Sequence, residues 1–232
     1  MNPKINFKIS PGKDIQNAKW FFEDKDFLDM FLPENFKYLM DDKYSIKERN
    51  SLLTIQTKKT YSEKKIEIES GVKKIQKDWS EIQNKYFDYI NYVFNNHPWP
   101  KGTYTGYSSI FLMFPRNIED KSFFFPYNDE KWNPLETIAH EMTHFLFFDY
   151  LKSHYGLTEQ SLIKGKNQEY IWQVSETFNT LIENLPDYKE IFGAQIDTKP
   201  YPGCEKLLID MKKIWANEKD INTLLDEMFK KS

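Results

Sequence analysis

Apolar residues recur at helical spacing through most of the first hundred residues. From about Gln16 to Asn95 the chain is predicted to be helical. One long helix is expected to end before His97-Pro98-Trp99-Pro100, because each proline disfavours the helical conformation in the residue before it. The apolar stripe of that helix consists of Ile66, Val72, Ile75, Trp79, Ile82, Phe87, Ile90 and Phe94.

The pattern changes after these prolines. Two runs rich in aromatic and β-branched residues predict strands at Tyr104–Phe114 and Ser122–Tyr127. A hairpin through Arg116-Asn117 is one way to join them, and Pro126 places the second run at an edge or ends it there. Because an exposed strand edge can pair with an extended peptide, this small sheet is a candidate peptide-binding surface.

Helical spacing returns in the second half of the chain. Helices are predicted at Pro134–Lys152, near Gln168–Leu185, where Pro186 ends the run, and at Glu205–Phe229. The fold class is therefore α+β, mostly helical, with a small sheet before the first of these helices. We expect a helical N-terminal region at 1–97, a core at 98–197 and a C-terminal helix at 198–232 that packs on this core in one compact unit.

The helix from Pro134 has a clear start signal and an apolar surface nearly all round. Asn133 can cap it, proline suits the first helical position, and Glu136 falls where a capping box requires it. Apolar residues occupy both sides of the helix, so it should be buried. They are Leu135, Ile138, Ala139, Met142, Phe145 and Leu146 on one side and Phe147, Phe148 and Leu151 on the other.

This helix carries His140-Glu141-Met142-Thr143-His144, the H-E-x-x-H pattern of zinc peptidases. At about 3.6 residues per turn, His140 and His144 lie one above the other and can bind a single ion. Glu141 is then about 100° around the helix, where its carboxylate can act as a general base on water without binding the metal. The competing interpretation is that both histidines make ordinary hydrogen bonds in the core.

A catalytic zinc usually takes three protein ligands, so a third must lie outside the motif. The metzincin pattern requires Gly and His where the chain has Phe147 and Tyr150, which excludes that class. His154 lies about 15 Å along the helix from His144 and suits the C-terminal end of the helix dipole. His97 has no companion at ligand spacing. A glutamate from the next helix remains, with Glu176, Glu183 and Glu159 as the candidates.

In these residues the chain resembles the gluzincins, the thermolysin-like group of zinc peptidases. The likeness covers His140, Glu141, His144 and Glu176 and no more of the chain. It implies that the second helix packs against the motif helix and that Glu176 is the third zinc ligand. Thermolysin-like members have an aspartate four residues after this glutamate, which braces a histidine, whereas this chain has Thr180.

The resemblance also raises the question of which side chains assist the site. Asn179 or Thr180 could accept the imidazole N–H in place of the missing aspartate. Gluzincins commonly use a Tyr or His to stabilise the oxyanion. In this chain the candidates are Tyr150, Tyr155 and Tyr170.

The leading functional prediction is a zinc-dependent peptidase that acts on a peptide or protein and uses Glu141 as its base. The first alternative is a peptide-binding or regulatory protein that keeps the metal without turnover. The second alternative is a helical interaction protein whose histidines are structural.

Composition limits the partners and the location. The net charge of −3 gives no reason to expect nucleic acid or an anionic membrane. Cys204 is the single cysteine, which rules out an intramolecular disulfide and a thiolate zinc cluster, although its thiolate could occupy an open zinc position and keep the enzyme latent. Neither a signal-peptide h-region nor a membrane span of about 18 apolar residues is visible. We therefore expect a cytoplasmic protein, or a secreted one whose signal has been trimmed.

Overall fold

The structure is a computed structural model that describes residues 2–21, 31–194 and 197–229. It is 60% helical with a small sheet, which confirms the α+β class. The strands are β1 (Ile5–Ile9), β2 (Tyr104–Ser109), β3 (Arg116–Asn117) and β4 (Ser122–Pro126). A 3-10 helix spans Glu34–Met40. The α-helices are α1 (Pro11–Phe21), α2 (Ile46–Glu63), α3 (Lys65–Val93), α4 (Pro134–Tyr155), α5 (Tyr170–Glu183), α6 (Pro186–Phe192), α7 (Glu205–Glu218) and α8 (Ile221–Phe229).

The described residues group into two compact units. The sheet unit comprises residues 3–21, 31–81 and 102–141, and the helical unit comprises residues 2, 82–101, 142–194 and 197–229. The expected division at residues 97 and 197 stays a prediction. The helical prediction over 22–30 lies outside the described residues.

The strand order in the sheet unit is β1-β2-β4-β3. The hairpin between the two predicted strands is wrong, because β2 and β4 pair in parallel and the antiparallel partner of β4 is the short β3. Pro126 ends β4 as predicted, but β4 lies inside the sheet and is not an edge strand. The described sheet edges are therefore β1 and β3, and β4 is not a free edge for a peptide.

A buried carboxylate joins three elements of the sheet unit. Asp14 of α1 accepts hydrogen bonds from the Tyr61 hydroxyl (2.9 Å), the Ser109 hydroxyl (2.6 Å) and the Ile110 amide (3.0 Å). Burial raises the pKa of Asp14 to about 6, although the three donors oppose this shift. The first helix, α2 and the end of β2 thus share one polar anchor inside the core.

The long helix α3 ends before His97 as predicted, and most of its apolar stripe is buried. The exceptions are Ile82, which is half-buried, and Ile66, which lies in the first turn of α3 and is 83% exposed. The predicted helix at Glu205–Phe229 is wrong as a single element. Lys219 adopts the left-handed conformation, with φ of 49°, and Asp220 caps α8 by accepting the Thr223 amide hydrogen bond at 2.8 Å.

Helix α5 matches the predicted second helix to within about two residues at each end. Pro186 does not simply end the run, since it begins the unpredicted helix α6. In the described part of the chain, no helix is long and apolar enough to cross a membrane.

Candidate metal centre

The motif helix α4 begins where the capping residues predict. The Asn133 side-chain oxygen accepts the Leu135 amide at 3.0 Å and the Glu136 amide at 3.4 Å. The Glu136 carboxylate in turn accepts a hydrogen bond from the Asn133 side-chain amide at 3.0 Å. These bonds satisfy two of the free N–H groups at the helix end and fix its start at Pro134, six residues before His140.

Helix α4 is buried around most of its circumference, as its apolar sequence predicts. Within the motif His144 is 0% exposed and Glu141 is 6% exposed, while His140 is half-buried. Thr143 is anchored by a hydrogen bond of 3.0 Å with the Tyr86 hydroxyl from α3. Buried polar groups of this kind require partners, and the next helix provides them for His144.

Helix α5 contacts both ring nitrogens of His144. The Asn179 side-chain amide nitrogen lies 3.1 Å from Nε2, and the Ser175 hydroxyl lies 2.7 Å from Nδ1. An amide NH₂ group can only donate, so Nε2 is the acceptor and the proton of the neutral ring sits on Nδ1, which donates to Ser175. In this tautomer the Nε2 lone pair accepts the Asn179 hydrogen bond, and a metal bound at Nε2 would take the place of that bond.

The structure brings the three predicted ligands together. His140, His144 and Glu176 each offer one ligand atom, and these atoms all lie within 4.8 Å of one another. These three residues form the metal group, which could therefore hold a metal ion.

The spacing of Glu176 and His144 is that of two ligands on one ion. The distance from His144 Nε2 to Glu176 Oε1 is 3.4 Å. Two ligand atoms bonded at about 2.0–2.1 Å to a tetrahedral zinc stand about 3.3 Å apart. Glu176 is 3% exposed, and the residues from Val174 to Glu183 are all buried, so the polar face of α5 is not a solvated surface.

The other candidate ligands lie outside this group. Glu183 is buried on α5, and Glu159 is half-buried. His97 contacts Asp149 through Nε2 at 2.8 Å. His154 stacks on Tyr150 with ring centroids 4.1 Å apart.

Cys204 is also outside the group and is buried. Burial raises the pKa of its thiol, so the neutral form is favoured over the thiolate that a zinc latch requires. A hydrogen bond with Thr177 opposes this shift.

The tyrosines considered as oxyanion donors bond the last helix instead. Tyr150 donates to the Asn222 side chain at 2.5 Å, Tyr155 to Asp226 at 2.9 Å and Tyr170 to the Met228 carbonyl at 3.0 Å. These hydroxyls attach α8 to α4 and α5.

The acceptor of the His144 N–H was missed by the sequence analysis. Asn179 contacts the other ring nitrogen as a donor, and the Thr180 hydroxyl donates to the Glu176 carbonyl at 3.0 Å. Ser175 fills the role expected of Asn179 or Thr180. Its position one turn before Asn179, on the same face of α5, was the available signal.

The donor chemistry of the group fits a metal ion. Two imidazoles and one carboxylate are ligand types that divalent metal ions accept. Imidazole and carboxylate side chains lose their hydration when they are buried. A bound metal ion would compensate for that loss. Comparison of the chain with protein-family models, with curated proteins and with solved structures finds no match, so function has to be argued from this geometry.

Proposed function

We propose that this protein is a zinc-dependent peptidase. The observation that carries the proposal is the His140, His144 and Glu176 group, with ligand atoms within 4.8 Å of one another, on a helix where Glu141 directly follows the first histidine. Support for zinc comes from the mixed nitrogen and oxygen donors and from the tetrahedral spacing of His144 and Glu176. Support for hydrolysis comes from a carboxylate in the general-base position of the motif.

Each side chain has a separate task in this mechanism. His140, His144 and Glu176 would hold a zinc ion, which would supply a Lewis acid for the peptide carbonyl and lower the pKa of water to about 7. Glu141 accepts a proton from the attacking water on its carboxylate and donates it to the leaving amine. Ser175 holds the His144 ring by accepting the Nδ1 proton, so that Nε2 is the unprotonated nitrogen and could bind the ion in place of the Asn179 hydrogen bond.

The proposal is tested by replacing the base alone. Glu141→Gln keeps the size and the hydrogen-bonding capacity of the side chain but removes proton transfer, so we expect zinc content and unfolding midpoint to stay unchanged. Peptidase kcat/KM should fall by at least about a hundredfold. Cleavage of a mixed peptide library, followed by mass spectrometry, is the measurement.

The matched control is Glu136→Gln on the same helix. Its carboxylate is not one of the three grouped ligands and accepts a hydrogen bond from Asn133, which a glutamine oxygen can accept as well. This variant should retain full activity. Undiminished turnover in Glu141→Gln would remove Glu141 as the base, and zinc loss in that variant would assign it to the ligand set instead.

A second candidate function is metal binding without turnover, in a peptide-binding or regulatory protein. The depth of the group favours it, since the exposed fractions are 0% for His144, 3% for Glu176 and 6% for Glu141. A zinc-loaded protein that cleaves no member of a broad peptide library but binds some of them would establish this alternative. Zinc-dependent cleavage that stops with a chelator and returns with added zinc would exclude it.

A further inference from the structure

The sheet unit contains a cavity of about 190 Å³ that the proposed mechanism does not use. Its polar lining includes two lysines, Lys64 and Lys131, and one glutamate, Glu130. The apolar lining includes Pro33, Phe36, Ile110, Leu112, Pro126, Tyr127 and Trp132. The Lys64 ammonium is paired with Glu67 at 3.4 Å, and the cavity suits an apolar group.

The cavity lies at the carboxyl ends of two parallel strands. Ile110 follows β2 directly, and Pro126 is the last residue of β4. Parallel neighbours end at the same side of a sheet, which is where ligands commonly bind in sheets of this kind.

The same cavity adjoins the start of the motif helix. Trp132, at its rim, directly precedes the cap residue Asn133, and His140 follows seven residues later. At about 1.5 Å rise per residue, the cap and His140 are about 10 Å apart along the helix axis. An extended peptide covers that distance with about three residues, at about 3.3 Å for each.

We infer that this cavity binds an aromatic or large aliphatic side chain of the peptide substrate, about three residues from the cleaved bond. The inference rests on the proposed peptidase function and adds a substrate preference to it. A cavity of about 150 Å³ can hold benzene, so this one is large enough for a phenyl ring.

The inner wall of the cavity is held in place before a ligand binds. The Tyr127 hydroxyl donates to Glu67 at 2.8 Å and accepts from the Lys64 ammonium at 3.2 Å. Helix α3 approaches the Tyr127 carbonyl so closely that a Cβ at Gly71 would lie 2.2 Å from its oxygen. Fixed walls reduce the entropy cost of binding, whereas Trp132 at the rim is 52% exposed and can cover the ligand.

The test uses Glu141→Gln protein, which binds peptides without cleaving them. The probes are octapeptides in which a single phenylalanine is moved through an alanine and serine background, with the all-alanine version as reference. Isothermal titration gives each Kd, and wild-type protein is assayed for cleavage of the same peptides. We expect about tenfold tighter binding for one position of phenylalanine, since burial of an aromatic side chain in an apolar cavity outweighs the cost of ordering it.

Two variants assign the preference to the cavity. Trp132→Ala removes the rim and should reduce the phenylalanine preference at least about threefold, and Leu112→Trp should abolish it by filling the space. The matched control is Trp20→Ala, because Trp20 lies in the same unit, is 66% exposed and does not line the cavity. None of these side chains belongs to the metal group, so zinc content should stay unchanged.

The outcomes separate this inference from the peptidase proposal. Cleavage without a phenylalanine preference, or an equal loss of preference in Trp20→Ala, would overturn the inference while the peptidase stands. A preference that Trp132→Ala reduces and Leu112→Trp abolishes, in a wild-type protein that cleaves nothing, would support the cavity and reject the peptidase. Folding of each variant is checked by its urea unfolding midpoint, and Trp132→Ala provides the test if Leu112→Trp does not fold.

Discussion

At the residue scale, the ability of His140, His144 and Glu176 to bind a metal depends on how the His144 ring is held. Its two ring nitrogens contact Ser175 and Asn179 from the next helix. Because Ser175 accepts the Nδ1 proton, Nε2 is the unprotonated nitrogen, which could bind a metal in place of the Asn179 hydrogen bond. The hydroxyl of Ser175 would thus act on a bound metal through the histidine, as a positioning group.

Ser175→Ala should weaken zinc binding by about 10–100-fold while the fold is retained, because the ring loses the acceptor that fixes its tautomer. Competition titration with a chromogenic zinc chelator measures the Kd.

Thr180→Ala is the control for this prediction. It also removes a buried hydroxyl from α5, but that hydroxyl bonds the Glu176 carbonyl and not the imidazole. Zinc affinity should be nearly unchanged in Thr180→Ala. Equal weakening in both variants would mean that Ser175 acts only through the stability of the helix.

The residues of the motif were predictable because their arrangement is local. A spacing of four residues places two histidines on one helix face whatever the rest of the chain does. Ser175 lies 31 residues after His144, and its contact depends on how two helices pack. Periodicity shows which face of α5 is polar, but it does not show that this face is buried against other elements.

At the element scale, α4 is positioned by the cap at its N-terminus. Asn133→Ala should destabilise the protein by about 0.5–2 kcal/mol, since the Leu135 and Glu136 amides lose their acceptor. Asn133→Ser should retain most of the wild-type stability, because a serine hydroxyl caps a helix as asparagine does and adds no charge beside the Glu136 carboxylate. Urea unfolding of both variants is the measurement, and equal destabilisation by the two substitutions would contradict the capping role.

The Asp14 anchor makes the sheet unit sensitive to pH. Its folded pKa of about 6 lies above the ordinary value of 3.8, so the folded state holds this proton more tightly than the unfolded state. Stability from this group is therefore present below about pH 4 and is lost as pH rises to about 6, by an amount on the order of 3 kcal/mol.

Asp14→Asn has no titrating group at this position. The unfolding free energy of the wild type, measured relative to that of Asp14→Asn, should therefore fall as pH rises from about 4 to about 6. Urea unfolding in the presence of a chelator measures it without interference from metal loss. A difference that does not change over this range would show that Asp14 is not the group responsible.

Element boundaries were predictable where a residue type forces them, as at Asn133-Pro134 and before His97-Pro98. The pairing of strands was not. Alternation of apolar residues indicates a strand but not its partner, and the short β3 makes β4 an inner strand. The break between α7 and α8 was missed because the apolar spacing continues across Lys219, while the capping residue Asp220 was the signal against a single helix.

At the scale of the whole molecule, two predictions from the sequence rest on different kinds of information. One is the class of the fold, and the other is which residues form the metal group. Class follows from the proportion of helical and strand-like segments, which are local. The choice of Glu176 over Glu183 and Glu159 came from a resemblance to gluzincins, since spacing alone leaves all three open. The structure groups Glu176 with the two histidines and leaves the other two glutamates outside.

The metal group also predicts a link between metal and stability. Because zinc binds a site that exists only in the folded protein, saturating zinc should raise the unfolding free energy by about 2.7 kcal/mol at a free concentration of one hundred times Kd. Thermal unfolding with and without zinc measures the effect. His140→Ala should show almost none of it, and an equal zinc effect in that variant would place the binding site elsewhere.

The zinc content of purified protein tests the central claim most directly. Elemental analysis of wild type and of Glu183→Gln should give about one zinc per chain, whereas His140→Ala, His144→Ala and Glu176→Ala should lose it. Circular dichroism confirms that each variant is folded. Wild-type protein without metal after saturation with zinc, or full metal retention in any of the three alanine variants, would contradict the account.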